Sequence, residues 1–167
     1  MESGNEDFRK KELRRNVSNK KLLEYFEIIG RSGISYSINC IIGFPGETRE
    51  MIFDTIKLVK HIKGYDAITV SIFTPYRGTE LREKAIERKW LDPSAFTVHT
   101  TASSMLNMPH LSARQIDGLM RTFPLYVEFE ESMWPELEKA ERFEADGEDA
   151  FSKYSVMYKK RRWGENG

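Results

Sequence analysis

Apolar residues recur at helical spacing near the start of the chain. Leu22, Phe26 and Ile29 are spaced i, i+4 and i+7, which places them on one face of an α-helix. The polar residues 18–19 can cap the start of this helix, because their side-chain oxygens accept hydrogen bonds from free backbone amides. Gly33 predicts its end, since glycine readily adopts the left-handed conformation that often ends a helix.

Two later segments, 34–43 and 67–74, alternate with the period of a β-strand. In each segment one side is apolar, and the other side consists mostly of small or polar residues. The apolar sides are Ile34, Tyr36, Ile38, Cys40 and Ile42 in the first segment, and Ile68, Val70 and Ile72 in the second. The opposite sides are Ser35, Ser37, Asn39, Ile41 and Gly43, and then Thr69, Ser71 and Phe73.

A helix is predicted after each of these strands. The first begins at Thr48 as its N-cap, carries apolar residues at helical spacing and ends at Gly64. The second begins at Thr79 and ends before Pro93, because proline cannot continue a helix.

The order helix, strand, helix, strand, helix over residues 1–92 predicts an α/β fold with parallel strands and right-handed crossovers. A sheet covered on both sides needs two apolar faces. One polar strand face therefore favours part of a TIM-like barrel, whose inner face lines a ligand cavity, over a doubly wound sheet. Two strands cannot close a barrel, so we expect the remaining strands upstream or in a partner chain.

The rest of the sequence predicts a different organisation. Residues 93–111 show no clear period and form an irregular segment that we expect to cover the substrate pocket. Residues 112–167 predict a mainly helical extension, which begins with a capping box over 112–115. In this extension Pro124 is expected to kink or end the first helix, and Gly147 to break the second helix, which has Pro135 in its first turn. The basic stretch "KKRRWGENG" at the end predicts a frayed, solvated tail.

Composition narrows the class of protein. Lysine plus arginine and aspartate plus glutamate both total 26, so bulk charge does not favour a nucleic-acid or membrane partner. No apolar stretch reaches the roughly 18 residues of a transmembrane helix, and the polar start is unlike a signal peptide. We therefore expect a cytoplasmic protein. Cys40 is the only cysteine, so the chain cannot form an internal disulfide or a cysteine-based zinc site.

Two loops follow the predicted strands, and ligands bind at such strand ends in α/β folds. The stretch 43–48, "GFPGET", lacks the lysine of a P-loop and the glycine spacing of a dinucleotide fingerprint, so neither familiar phosphate site is predicted. Glu47 and Glu80 are interpreted as acids favoured at helix N-termini. His99 and His110 are interpreted as packed or surface residues, with pocket lining as the alternative.

The residues themselves resemble a known family. The stretches "ESGNE", "RRNVSN", "CIIGFPGETREMIFDTI" and "VSIFTPYRGTEL" resemble, in this order and spacing, the second half of a radical S-adenosylmethionine (SAM) enzyme. "LNMPHLS" followed by "RTFPLYVEF" is similar to the subgroup whose members often carry a cobalamin-binding domain.

The resemblance implies a partial (β/α)6 barrel and a [4Fe–4S] cluster that reduces SAM to a 5′-deoxyadenosyl radical. Glu2 and Ser3 match positions at the SAM ribose, and Arg15 is a candidate for the methionine carboxylate. The family pattern G-x-I-x-G-x-x-E for the adenine side falls on Asn39, Ile41 and Gly43, with asparagine in place of the first glycine and the acid one place late. The next barrel strand brings a further set to the adenine: Phe73, Thr74 and Pro75.

The cluster motif C-x-x-x-C-x-x-C is absent from the sequence. We therefore expect the chain to be the C-terminal part of a radical SAM enzyme, inactive alone, with Met1 an internal methionine of the parent. Its expected partner is the missing N-terminal half with the cluster loop. Whether the parent enzyme has a cobalamin domain stays open, and so does its substrate. Methyl transfer, rearrangement and methylthiolation are all possible reactions. The alternatives are a non-catalytic half-barrel module and a small α/β ligand-binding domain.

Overall fold

Two parallel strands lie at the centre of the computed structural model, which describes residues 1–97, 99 and 103–164. Strand β1 is Ser37–Ile42 and strand β2 is Ala67–Ile72. Their register pairs Ser37 with Ala67 at one end and Ile42 with Ile72 at the other. The parallel pairing predicted from the element order is therefore confirmed, and the barrel itself is not formed by the described residues.

Helices precede, connect and follow the two strands. In chain order they are α1 (Glu6–Lys11), α2 (Asn19–Arg31), α3 (Arg49–Lys60), α4 (Glu80–Glu87), α5 (Ala113–Glu128), α6 (Trp134–Lys139) and α7 (Ala145–Trp163), with a 3-10 turn at Glu131–Met133. Among the described residues, no helix combines the length and the hydrophobicity that crossing a bilayer requires.

The two faces of the sheet differ as the alternation predicts. Ile38, Cys40 and Ile42 are buried in one core cluster with side chains of α3 and α5. On the other face Ser37, Asn39 and Thr69 are exposed and Ile41 is half-buried. The covered face supplies the hydrophobic stabilisation, and the open face is free to line a cavity.

Side-chain caps fix the helix starts. Ser18, Thr48, Thr79 and Ser112 each accept a hydrogen bond from the amide three residues later, and Ser112 forms the predicted capping box with Gln115. These caps confirm the predicted starts, because the interaction is local and depends on the sequence alone. Helix α1 was not predicted.

The helical extension forms hydrogen bonds with both ends of helix α3. At the start of α3, the Arg49 guanidinium donates to both carboxylate oxygens of Glu141, each at 2.7 Å. At its end, Lys60 Nζ donates to the carbonyls of Tyr126, Val127 and Phe129, which lie at the end of α5. A lysine there satisfies free carbonyls and opposes the negative end of the helix dipole.

Several predicted boundaries differ from the structure. Strand β1 begins at Ser37, so Ile34 lies before the strand, where it is 67% exposed. Pro124 lies inside α5, which continues to Glu128, so the expected helix end there is wrong. Gly147 lies in the first turn of α7 and does not separate two helices.

The basic stretch near the end is also structured, and the predicted frayed tail is wrong for 159–163. Helix α7 continues to Trp163, and the Arg162 guanidinium donates to the carbonyls of Tyr65 and Asp66 at 2.8 and 3.0 Å. These bonds hold the end of α7 against the loop before β2. The remainder of the predicted tail, 165–167, lies outside the described residues.

Candidate functional site

Three separate stretches of sequence meet at the carboxyl end of the sheet. The Met1 amino group donates to the Asn39 carbonyl, which places the segment 1–3 beside β1. On the other side of β1, the Phe73 amide donates to the Ile42 carbonyl at 2.8 Å. The structure therefore brings together the segments that contain the predicted site residues, at the end of the sheet where α/β folds bind ligands.

Glu2 and Arg15 form an ion pair at the rim of this region. Arg15 Nε lies 3.0 Å from Glu2 Oε2, and both side chains are at least one third exposed. The hydrogen bond that Arg15 donates to the Glu2 carboxylate raises the pKa of Arg15. An exposed pair of this kind is worth little and exchanges readily with other partners, so both groups remain able to meet a polar ligand.

Ser3 occupies a structural position. It is fully buried, its hydroxyl accepts from the Asn5 amide at 3.3 Å, and its carbonyl accepts from Arg9 Nη1 at 2.5 Å. Next to it, a Cβ on Gly4 would lie 2.5 Å from the Asp54 carbonyl oxygen of α3. Only glycine permits this close approach, and the loop is thereby held tightly against α3.

Asn39 and Ile41 lie on the open face, as the alternation predicts. Gly43 departs from this pattern. Its φ is +80°, and a Cβ built on it would lie 3.0 Å from the side chain of Ile116 in α5, which belongs to the buried core. The expectation that Gly43 shares a face with Asn39 is therefore wrong, because the chain turns at this residue.

The second strand end is only partly open. Phe73 is half-buried and its ring lies 5.2 Å from that of the buried Phe44. Thr74 and Pro75 are buried; the Thr74 hydroxyl donates to the Ile72 carbonyl at 3.4 Å, and the Pro75 carbonyl accepts from Arg82 at 2.9 Å. Of these three residues, Phe73 has the most accessible side chain.

Glu47 has a role that the sequence did not reveal. It is fully buried, and its Oε2 accepts from the amides of Gly43 and Phe44 at 2.6 and 3.2 Å. Its Oε1 has no hydrogen-bond partner among the residues that the structure describes. Burial outweighs the two amide bonds and raises the pKa of this carboxyl group to about 8. Glu47 thus holds the loop after β1 together through buried hydrogen bonds to its backbone, and it is not a surface charge at the start of α3.

A segment from the C-terminal part covers this loop. The Met108 sulfur accepts from the Gly46 amide at 3.4 Å, and the His110 ring nitrogen donates to the Glu47 carbonyl at 3.2 Å. His110 and His99 are both exposed. Parts of the predicted pocket-covering segment, residues 98 and 100–102, lie outside the described residues.

The residues present do not fit a [4Fe–4S] cluster. Such a cluster needs several thiolate ligands, and Cys40 is the only cysteine in the sequence. Cys40 is also buried on the covered face of the sheet, and burial raises the pKa of its thiol to about 11. The open face, in contrast, presents the exposed Asn39 and the half-buried Ile41, and the bond from Met1 to the Asn39 carbonyl places the segment of Glu2 beside it.

Known proteins resemble parts of the chain. No family model matches it. An 89-residue stretch, 53% of the chain, is 38% identical to an uncharacterized methyltransferase of Pyrococcus horikoshii. Stretches of 49 residues (29% of the chain) and 71 residues (41%) are 47% and 34% identical to the tRNA-2-methylthio-N(6)-dimethylallyladenosine synthases of Chromohalobacter salexigens and Clostridioides difficile, respectively. The matched stretches span 19%, 11% and 15% of these three proteins, so the similarity covers less than one fifth of each relative.

Proposed function

We propose that this chain supplies the ribose and adenine side of a SAM site within a larger radical SAM enzyme. The observation that carries the proposal is the open polar face of the sheet, bordered at its carboxyl end by the segment of Glu2 and by Phe73. The sequence resemblance assigns the same residues to the SAM nucleoside. Two relatives are named for a methylthio product and one as a methyltransferase, which agrees with two reaction types that the resemblance implies.

The residues of the chain would share the binding of the nucleoside. The Glu2 carboxylate can accept hydrogen bonds from the ribose hydroxyls after exchanging its pair with Arg15. Ile41 and the half-buried ring of Phe73 offer apolar surface to the adenine, and the Asn39 amide offers a donor and an acceptor. Ser3, Gly43, Thr74 and Pro75 would act through the backbone that they hold in place.

The cofactor chemistry lies outside this chain. SAM supplies the 5′-deoxyadenosyl radical when an iron–sulfur cluster reduces it, and the chain offers no ligand set for that cluster. The proposal therefore includes a partner segment with the cluster cysteines. Cobalamin rests on the sequence resemblance alone, because the names of the relatives reported above do not mention it. The substrate is not assigned.

Binding of S-adenosylhomocysteine by the chain tests this proposal without any radical chemistry. We expect nitrogen-15 NMR titration to shift the amides of Asn39, Ile41 and Phe73. Glu2→Gln should weaken binding about tenfold, which corresponds to loss of a charge-assisted hydrogen bond of about 1.4 kcal/mol. Glu50→Gln, an exposed acid at the start of α3, serves as the matched control. Shifts confined to other surfaces, or no binding, would contradict the proposal.

A second measurement tests the assignment of the cluster to a partner. After anaerobic reconstitution with iron and sulfide, the chain alone should retain no stoichiometric cluster and release no 5′-deoxyadenosine from SAM. Formation of that product by the chain alone would show that the cluster is held here after all.

A further inference from the structure

Helix α1 buries a charged side chain next to the candidate site. Arg9 is only 2% exposed, although its guanidinium carries a full positive charge. The three hydrogen bonds that this guanidinium donates all go to uncharged oxygens, and its Nε has no partner among the described residues. Burying a cation in this way costs stability, which an apolar side chain of similar size would not do. Arg9 therefore has a role other than filling space in the core.

The acceptors of Arg9 belong to separate stretches of the chain. Its Nη1 donates to the Ser3 carbonyl at 2.5 Å. Its Nη2 donates to the Val17 carbonyl at 2.6 Å and to the side-chain oxygen of Asn19 at 2.9 Å. The side-chain nitrogen of Asn19 in turn donates to the Gly4 carbonyl at 2.8 Å. Two side chains thus hold the loop of Ser3 and Gly4 against the start of α2.

The backbone of Arg9 bonds the second half of the ion pair at the rim. The Arg9 carbonyl accepts from the Arg15 amide at 3.0 Å. Arg15 Nε lies 3.0 Å from Glu2 Oε2, and Glu2 directly precedes Ser3 in the sequence. One buried residue is therefore bonded to the backbone beside Glu2 through its guanidinium and to the backbone of Arg15 through its carbonyl.

We infer that Arg9 is a positioning residue of the SAM site, which fixes where Glu2 and Arg15 stand before the ligand binds. The inference rests on the proposed function and adds to it a residue that acts through the site without touching the ligand. Groups that are already held in place lose less conformational freedom on binding, so the ligand binds more tightly. Arginine suits this role because its planar fork donates in several fixed directions, whereas the ammonium of lysine is a point charge on a flexible stem.

Binding of S-adenosylhomocysteine to Arg9 variants tests the inference. Arg9→Lys should raise the dissociation constant about fivefold in the otherwise unchanged chain. In a chain that already carries Glu2→Gln, the same substitution should raise it less than about twofold, because Arg9 acts through Glu2. A merely structural role of Arg9 would weaken binding equally in both backgrounds.

Arg121→Lys is the matched control. Arg121 lies in α5, in the helical extension, and it also donates to backbone carbonyls, those of Ala140 and Arg142. Its replacement should lower stability and leave the affinity for S-adenosylhomocysteine unchanged. Asn19→Ala is a milder variant that remains informative if Arg9→Lys does not fold, because it removes one acceptor of Arg9 and should raise the dissociation constant about threefold. Circular dichroism checks that each variant is folded.

Hydrogen exchange measures the loss of order without any ligand. The amides of Gly4 and Arg15 should exchange faster in Arg9→Lys than in the wild type, because the loops that contain them open more often. The amide of Leu119, which is fully buried in α5, is the reference for changes in global stability.

The outcomes separate this inference from the proposed function. Three results would each overturn the inference alone: unchanged affinity of Arg9→Lys, equal losses with and without Glu2→Gln, or unchanged exchange at Gly4 and Arg15. Absence of binding by the wild type would instead contradict the proposed function, and the inference would fall with it.

Discussion

Helices α2 and α5 have similar amphipathic sequences and very different surroundings. Helix α2 has 13 residues and none of them is buried, whereas α5 has 16 residues and buries Ile116, Leu119 and Phe123 completely, with five others. Apolar periodicity predicts that a segment is helical, but it does not predict which other element packs against the apolar face of that helix. For α5 the partners are β2, α3, α6 and α7 of the same chain, whereas among the described residues α2 packs less extensively, through side chains such as Leu23 and Phe26.

The ends of the two helices show the same difference. Both have a serine N-cap, but the end of α5 is bonded by Lys60 from α3. The C-terminal cap of α2, Ser32, bonds locally: its hydroxyl donates to the Ile29 carbonyl and accepts from the Ile34 amide. The comparison predicts that α5 belongs to the stable centre of the chain and that α2 contributes less to the stability of the fold.

Replacing one phenylalanine in each helix tests this difference and should give the largest effect. Phe123→Ala should lower the free energy of unfolding by about 3–5 kcal/mol, because it leaves a cavity in a fully buried site. Phe26→Ala in α2 should cost clearly less, since Phe26 is only half-buried. Urea denaturation followed by circular dichroism measures both. Equal losses in the two variants would show that α2 is as firmly packed as α5.

Titration of Glu47 should give the next largest effect on the free energy of unfolding. Glu47 lies in the loop after β1, which the segment of Met108 contacts. Its pKa is about 8 in the folded chain, against an ordinary value of 4.5. Between these values the unfolded chain has lost the proton and the folded chain retains it, so stability is greatest at the acidic end and falls as the pH rises toward 8. We expect a fall of about 2–4 kcal/mol from pH 5 to pH 8, at about 1.4 kcal/mol per unit at most.

Glu47→Gln removes this titration and keeps an oxygen for the two amides. The expected result is a flatter dependence of the unfolding free energy on pH, whatever constant offset the substitution adds. Glu50→Gln is the control, because Glu50 is an exposed acid in the first turn of the same helix, and it should leave the slope of the wild type. Parallel slopes for Glu47→Gln and the wild type would show that Glu47 is ionised throughout.

A pair of glycines should give the smallest effect. Gly118→Ala in α5 places a Cβ 2.4 Å from the Glu141 carbonyl oxygen, which is too close for any side chain. After subtracting the gain of about 1 kcal/mol in helix propensity, we expect a loss of about 1–2 kcal/mol. Gly30→Ala in α2 meets the Lys63 carbonyl at 3.1 Å and should be close to neutral. Thermal unfolding of both variants measures the difference. The difference would vanish if the backbone at Glu141, just after α6, shifts freely away from α5.

Local chemistry explains which elements could be predicted. The four helix starts at Ser18, Thr48, Thr79 and Ser112 follow from hydrogen bonds within one turn, and the strand faces follow from alternation. Helix α1 has six residues and was missed, because so short a helix shows no complete apolar period. Pro124 was given too much weight, since the tertiary packing of α5 compensates for the hydrogen bond that proline removes.

The site could be predicted only where side chains follow the strand alternation. Asn39 and Ile41 lie on the open face as expected. Ser3 and Pro75 are buried instead, and their carbonyls accept hydrogen bonds from Arg9 and Arg82. Such bonds between side chain and backbone arise after the chain has folded, so no motif records them. The buried position of Glu47 had one signal in the sequence, its displacement by one residue from the family pattern.

Cys40 allows opening motions of the covered face of the sheet to be measured by thiol labelling. Its thiol is buried and its raised pKa keeps it protonated at neutral pH, so a thiol reagent can react only while the sheet is transiently parted from α3 and α5. Because no second cysteine competes, the rate of labelling gives the frequency of that opening when the reagent reacts faster than the sheet closes again. The residue that cannot hold a cluster is thus a natural reporter of how often this sheet opens.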